Sequence, residues 1–144
     1  MFKTVLIANR GEIAVRAIRT LKKLGITSVA VYSDSDRYAQ HVQDADLAVD
    51  LQGTKPADTY LSIEKLIAAA KQTGAEAIFP GYGFLSENAD FAERVESSGF
   101  VFIGPRPDSI RLMGDKVSAK KAMQKAILFW IQVVLMHVLN FKFY

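Results

Sequence analysis

The feature that most constrains this chain is an alternation: short β-rich apolar runs separated by longer stretches of helical period. The runs are Thr4–Ala8, Ser28–Tyr32, Leu47–Val49, Ala77–Phe79 and Val101–Ile103. Between the first two, Ala14, Ala17, Ile18, Leu21 and Leu24 recur on one helical face and Arg16, Arg19, Lys22 and Lys23 lie toward the other, with Gly25 placed to end the helix. The same punctuation predicts Ser62 as the N-cap of a helix over Ile63–Thr73 followed by Gly74, and Asn88 as the cap of Ala89–Ser98 followed by Gly99. Pro107 suits the first turn of a short helix stopped at Gly114. Parallel crossovers are right-handed and cover both faces of a sheet. The expected fold is therefore α/β: an open parallel sheet of about five strands with flanking helices, Rossmann-like in outline.

A chain of 144 residues, half of them apolar and 23% charged, can bury a core and amounts to one domain, or one and a piece. The absence of Cys excludes a disulfide framework and a Cys-based zinc site. The net charge is only +3 and no Lys/Arg block exceeds a pair, so no nucleic-acid partner is expected. His41 and His137 are too far apart to suggest a metal pair, and no nucleophile elbow or Walker loop is present. No catalytic residue and no metal ligand is assigned. Asp34, Asp36, Asp44 and Asp46 lack EF-hand spacing and read as a solvated loop face. The apolar run Val5–Ala8 is too short for a signal-peptide core, which with the missing cysteines predicts a cytoplasmic setting.

Residues 127–144 are a different kind of sequence: fourteen of the eighteen are apolar and Lys142 is the single charge. The switch interrupts the amphipathic stretch SAKKAMQKA with no turn signal, Gly or Pro. It looks like a shifted reading frame, unspliced sequence or gene decay. As a helix the tail would span about 27 Å, marginal against a hydrocarbon core of about 30 Å, so membrane attachment is rated below the other readings.

Ligands of open α/β sheets collect beyond the carboxyl ends of the strands, and three such segments stand out. In Asn9-Arg10-Gly11-Glu12 a strand turns into a helix through one glycine, without dinucleotide spacing; Asp34, 23 residues beyond Gly11, sits where a ribose-binding acid would be expected. The plainer reading is a tight turn with Arg10 and Glu12 as local ion-pair partners. In Pro80-Gly81-Tyr82-Gly83-Phe84 two glycines flank a tyrosine, so that a planar ligand could rest on the backbone; the alternative is a crossover turn with Tyr82 packed on its own domain. In Gly114-Asp115-Lys116, Asp115 can cap a helix whose second residue is Lys116, a place suited to phosphate oxygens, or else a solvated lysine on a linker helix.

Taken together, IANRGEIAVRAIRTLKKLGI, VAVYSDSDRYAQHVQDAD, FPGYGFLSENADFAERVESSGFVFIGP and IRLMGDKVSAKKAM resemble the start of the biotin carboxylase component of biotin-dependent carboxylases, over residues 2–126. The resemblance implies residues 1–114 as an N-terminal α/β domain, 115–126 as the start of a linker to an ATP-grasp domain, and 127–144 as an atypical tail. The intact enzyme it implies uses ATP and bicarbonate, with Mg²⁺ or Mn²⁺, to carboxylate biotin borne on a carrier domain. It further implies that Lys116 touches ATP, that Gly81, Tyr82 and Gly83 lie against biotin, and that Arg16 and Arg19 belong to a homodimer contact. Lys23 departs from the acidic residue found in some members. Phe79 stands where many acyl-CoA carboxylases have His and urea carboxylases an apolar residue, which leaves the final acceptor open between acyl-CoA, pyruvate and urea. The ATP-grasp groups that perform phosphoryl transfer have no counterpart in these 144 residues, so the chain alone is expected to be inactive. The alternatives are a stand-alone nucleotide- or biotin-binding module, or one that dimerises with a full-length carboxylase, and after those a small membrane-attached protein.

Overall fold

The computed structural model describes residues 1–114 and 118–128. The chain divides into two compact units, Met1–Pro107 and Asp108–Tyr144. The first contains five strands and four α-helices in the order β1 (Thr4–Ile7), α1 (Gly11–Lys23), β2 (Thr27–Tyr32), α2 (Gln40–Asp44), β3 (Leu47–Asp50), α3 (Ile63–Thr73), β4 (Ala77–Phe79), α4 (Ala89–Ser97) and β5 (Val101–Phe102). Helix α5 (Pro107–Gly114) follows, and residues 118–128 are helical. The expected runs all form strands, with ends that differ by one residue at most.

All pairings are parallel and the sheet order is β3-β2-β1-β4-β5. β1 lies at the centre, Leu6 opposite Val29 on one side and Ile78 on the other. Strands covered on both faces are apolar throughout, and Val5, Leu6, Ile7, Val29, Ala30, Val31, Ala77 and Ile78 are all buried. Right-handed crossovers place α1 and α2, which pack together, on one face and α3 and α4, likewise in contact, on the other. Helix α1 packs Ala14 and Ile18 against Ile7. On the α4 side, Phe91 meets Phe102 edge to face at 5.8 Å.

The order in which strands are added reverses between β1 and β4: from β1 the chain moves outward to β2 on one side, and from β4 outward to β5 on the other. That is the topological switch point of the sheet, where the loops after β1 and β4 splay apart and leave a crevice.

Several local expectations need correction. Leu24 is 54% exposed, because α1 ends at Lys23 and Leu24 is its C-cap rather than a member of the packed face. Ser62 precedes α3 without a side-chain capping bond, whereas the Asn88 side chain accepts from the Phe91 amide and caps α4. Helix α2 carries no long apolar period and was not expected from the sequence; the buried His41 ties it to β2 through Nε2, 3.3 Å from the Val31 carbonyl oxygen. No helix among the described residues is long and apolar enough to cross a membrane. Asp115, Lys116 and the tail beyond Leu128 lie outside the described residues.

Candidate functional site

The crevice at the switch point is lined by Asn9, Arg10, Gly11, Glu12 and Ile13 from the β1–α1 loop and by Tyr82, Gly83 and Phe84 from the turn after β4, around a volume of about 510 Å³. Asn9, two residues beyond the end of β1, is buried and holds the two loops together. Its Nδ2 donates to the carbonyl oxygens of Pro80, at 2.8 Å, and Tyr82, at 2.9 Å, and its Oδ1 accepts from the Arg10 amide at 2.9 Å. Nδ2 and Oδ1 are thus both engaged in fixing backbone.

The turn itself occupies unusual backbone space. Gly81 and Gly83 have φ of +66° and +74°, and Phe84, which carries a side chain, has φ of +42°. A Cβ on Gly81 would fall 2.7 Å from Ile13 Cγ2 and 3.0 Å from Asn9 Nδ2, so only glycine lets the turn lie this close to the β1 loop. Tyr82 stands at the tip, 58% exposed, and is not packed into its own domain. The plain crossover-turn alternative therefore does not hold for Tyr82.

Phe84 is held by an aromatic and polar cluster beneath the crevice. Its ring stacks on Tyr60 at 5.1 Å and 16°, and the Arg10 guanidinium sits 5.6 Å from the Tyr60 ring centre and 5.9 Å from that of Phe84. The Tyr60 hydroxyl donates to Asp36 Oδ2 at 2.6 Å and accepts from the Ser33 amide at 3.0 Å. Asp36 Oδ2 also accepts from Ser33 Oγ and from Arg10 Nη1, both at 3.1 Å. Burial acts to raise the Asp36 carboxyl's pKa, but the bonds from Tyr60, Arg10 and Ser33 together hold it below the usual carboxylate value. Burial, aided by the bond to Asp36, pushes the Tyr60 phenol up to about 12.

This geometry corrects two readings of the sequence. Asp36 is no solvated face residue but a shared acceptor, with its side chain only 17% exposed. Arg10 pairs with Asp36 rather than with Glu12, whose partner is Arg16 at 4.0 Å, because a residue at the start of α1 reaches across to the β2 loop while Glu12 and Arg16 face each other one turn apart. Asp34, the acid at the end of β2, accepts from the Gly53 amide at 3.1 Å and pairs with Arg37 at 3.6 Å.

Of the residues singled out in the sequence, Tyr82 and Gly83 line the crevice with Asn9, Arg10, Gly11 and Glu12, and Gly81 lies against Ile13 and Asn9. Arg16 and Arg19 are exposed on α1, Arg16 beside an apolar recess of about 310 Å³ that Leu21, Phe79 and Ile103 help to line. Among the described residues no group of three His, Asp or Glu side chains could hold a metal ion. Asn9, Asp36 and Tyr60 went unassigned as site residues. Asn9 had a signal in its place immediately after a strand; Tyr60, in the loop between β3 and α3, belongs to no motif.

The model of the biotin carboxylase N-terminal domain matches residues 1–110, three quarters of the chain. The chain belongs to the biotin carboxylase N-terminal domain family. This biotin carboxylase N-terminal domain is 65% identical over 126 residues to the urea amidolyase of Saccharomyces cerevisiae, covering 88% of the chain and 7% of that protein. It is 62% identical to the biotin carboxylase of Haemophilus influenzae, covering 88% of the chain and 28% of that protein. The biotin carboxylase domain of the Hydrogenobacter thermophilus 2-oxoglutarate carboxylase, solved as a dimer with MgADP, ADP and bicarbonate, superimposes with a TM-score of 0.83 at 52% identity. That match covers 88% of this chain and 28% of the solved one. The domain thus spans well under a third of each of these relatives, and the fold expected from the sequence is the fold they share.

Proposed function

We propose that residues 1–114 serve as the N-terminal α/β domain of a biotin carboxylase, with 115–126 leading toward an ATP-grasp domain and 127–144 an atypical extension. In this reading the Gly81–Phe84 turn forms one wall of the biotin pocket, Lys116 reaches ATP, and Arg16 and Arg19 take part in a contact with a second carboxylase subunit. The supporting observation is the turn itself: a glycine-flanked tyrosine exposed at the switch point, with its backbone fixed from below by Asn9. A preformed wall of this kind suits a flat ring such as the ureido face of biotin, which gains from close backbone approach.

The reaction served would be ATP- and bicarbonate-dependent carboxylation of biotin on a carrier domain, in the cytoplasm. Phosphoryl transfer rests on positioning and on charge stabilisation by metals and cationic side chains. The described residues offer no ligand set for Mg²⁺ or Mn²⁺. On this proposal the chain by itself holds ligand without turning it over.

Calorimetric titration with biotin and with ATP, alongside co-purification with full-length Haemophilus influenzae biotin carboxylase, tests the reading. Heat on adding biotin, or a stable complex with the full-length subunit, is expected, with no bicarbonate-dependent ATP cleavage by the chain alone. Silence in both binding assays would reject the role, and robust ATP cleavage by the purified chain would reject the claimed inactivity.

A further inference from the structure

We propose that Asp36 and Tyr60 are positioning residues for the ligand-facing turn: they touch no ligand, but their hydrogen bond and the stacking of Tyr60 on Phe84 hold Tyr82 and Gly83 in the shape that receives it. This rests on the reading of the turn as a biotin-facing wall and adds to that reading the parts that set its geometry.

The turn is pinned at two ends by unrelated means. At its start, Asn9 grips the Pro80 and Tyr82 carbonyls and Gly81 lies against Ile13. At its end no side chain grips the carbonyls; the Ser86 amide donates to the Gly83 carbonyl oxygen at 2.9 Å, and Phe84 between them adopts a left-handed conformation that a bulky residue avoids. A strained backbone persists only where its surroundings over-determine it, and what surrounds Phe84 is the Tyr60 ring in parallel contact, with Arg10 lying over both rings. Tyr60 is 1% exposed, and its hydroxyl is fixed by one donor and one acceptor, the Ser33 amide and Asp36. The position of Phe84 is thereby referred to the end of β2, and the Asp36–Arg10 pair refers the same point to the β1 loop on the other side of the crevice. Three loops from separate parts of the chain meet at one carboxylate, which the Tyr60 ring links to Phe84. A purely structural core would need only apolar packing there; a shared acceptor with directional bonds specifies one arrangement of the loops.

The test uses the 144-residue chain, labelled with ¹⁵N, as wild type and as Tyr60→Phe, Asp36→Asn and a control, Ser28→Ala. The control removes the two bonds made by Ser28 Oγ, one donated to Asp46 Oδ2 and one accepted from the Asp46 amide, near the start of β2 and away from the crevice. Backbone amide spectra report the turn directly, and titration with free biotin reports its competence. A turn that is binding-competent about one-tenth of the time binds roughly tenfold more weakly. In Tyr60→Phe and Asp36→Asn the amides of residues 81–84 are expected to shift or broaden and biotin affinity to fall by roughly that factor. Ser28→Ala, even where it lowers the melting temperature equally, should leave both readouts in place. Unmoved turn amides in the two variants would overturn the proposal, as would moved amides with unchanged biotin affinity. If the wild type binds no biotin, the reading of the turn as a biotin wall fails, and the amide spectra still decide whether Asp36 and Tyr60 position it.

Discussion

Gly81 and Gly83 share a left-handed backbone but not a neighbourhood, and the difference separates two costs that are often conflated. Nothing lies within 4 Å of a Cβ built on Gly83, so Gly83→Ala meets only the conformational penalty, about 1 kcal/mol. Gly81→Ala adds an overpacking cost of about 1–3 kcal/mol against Ile13 and Asn9, and chemical denaturation of the two variants should show that gap. Titration makes a second residue-level prediction. The folded pKa of Asp36 is below 3.8, so its contribution is fully present above that value and is lost as pH falls through the lower folded one. Acid unfolding of wild type should be steeper below pH 3.8 than that of Asp36→Asn. Tyr60 runs the other way: raised from 10 to about 12, it stabilises fully below pH 10 and loses that contribution as pH climbs toward about 12. A tyrosinate absorbance titration should contain a component near 12, and Tyr60→Phe should remove it. The glycines were legible in the sequence because positive φ has a residue signature. The Asp36–Tyr60 bond was not, since a contact across 24 positions leaves no local pattern and an aspartate in a polar loop resembles any solvated one.

The two expected N-caps behave differently at the level of the element. Asn88 Oδ1 accepts from the Phe91 amide at 2.8 Å, so Asn88→Ala should cost about 1 kcal/mol, whereas Ser62→Ala, which removes no capping bond, should stay close to wild type in the same melts. Residue type at a cap position announces a helix start; whether the side chain turns in to bond depends on the backbone that leads to it. Helix α2 shows the opposite limit. Five residues are too short for a helical period to stand out, and its anchor is the buried His41. Burial holds the His41 imidazole below its usual 6.5, outweighing the bond to Val31. Stability from a neutral His41 is present above pH 6.5 and lost as pH falls through the lower folded value, so the melting temperature should decline on acidification in that range and His41→Leu should flatten the decline.

At the scale of the whole molecule, the sheet order follows from chain order plus handedness. Once five runs alternate with helices, right-handed crossovers and a single reversal about β1 give β3-β2-β1-β4-β5 with little freedom left. The reversal dictates where the crevice lies, and the β1 and β4 loops that line it were the first two segments the sequence marked. What the sequence did not show is how those loops are held, because that depends on Asn9, Asp36 and Tyr60 meeting only after the sheet has formed. The central claim is that this domain presents a finished wall for biotin to the rest of a carboxylase. It is tested most directly by replacing the matching segment of Haemophilus influenzae biotin carboxylase with residues 1–126 of this chain and measuring biotin-dependent, bicarbonate-stimulated ATP cleavage. The account predicts turnover within about tenfold of the parent, about 1.4 kcal/mol in transition-state free energy. A chimera that folds and binds ATP as the parent does, yet has lost biotin-dependent turnover, would contradict it.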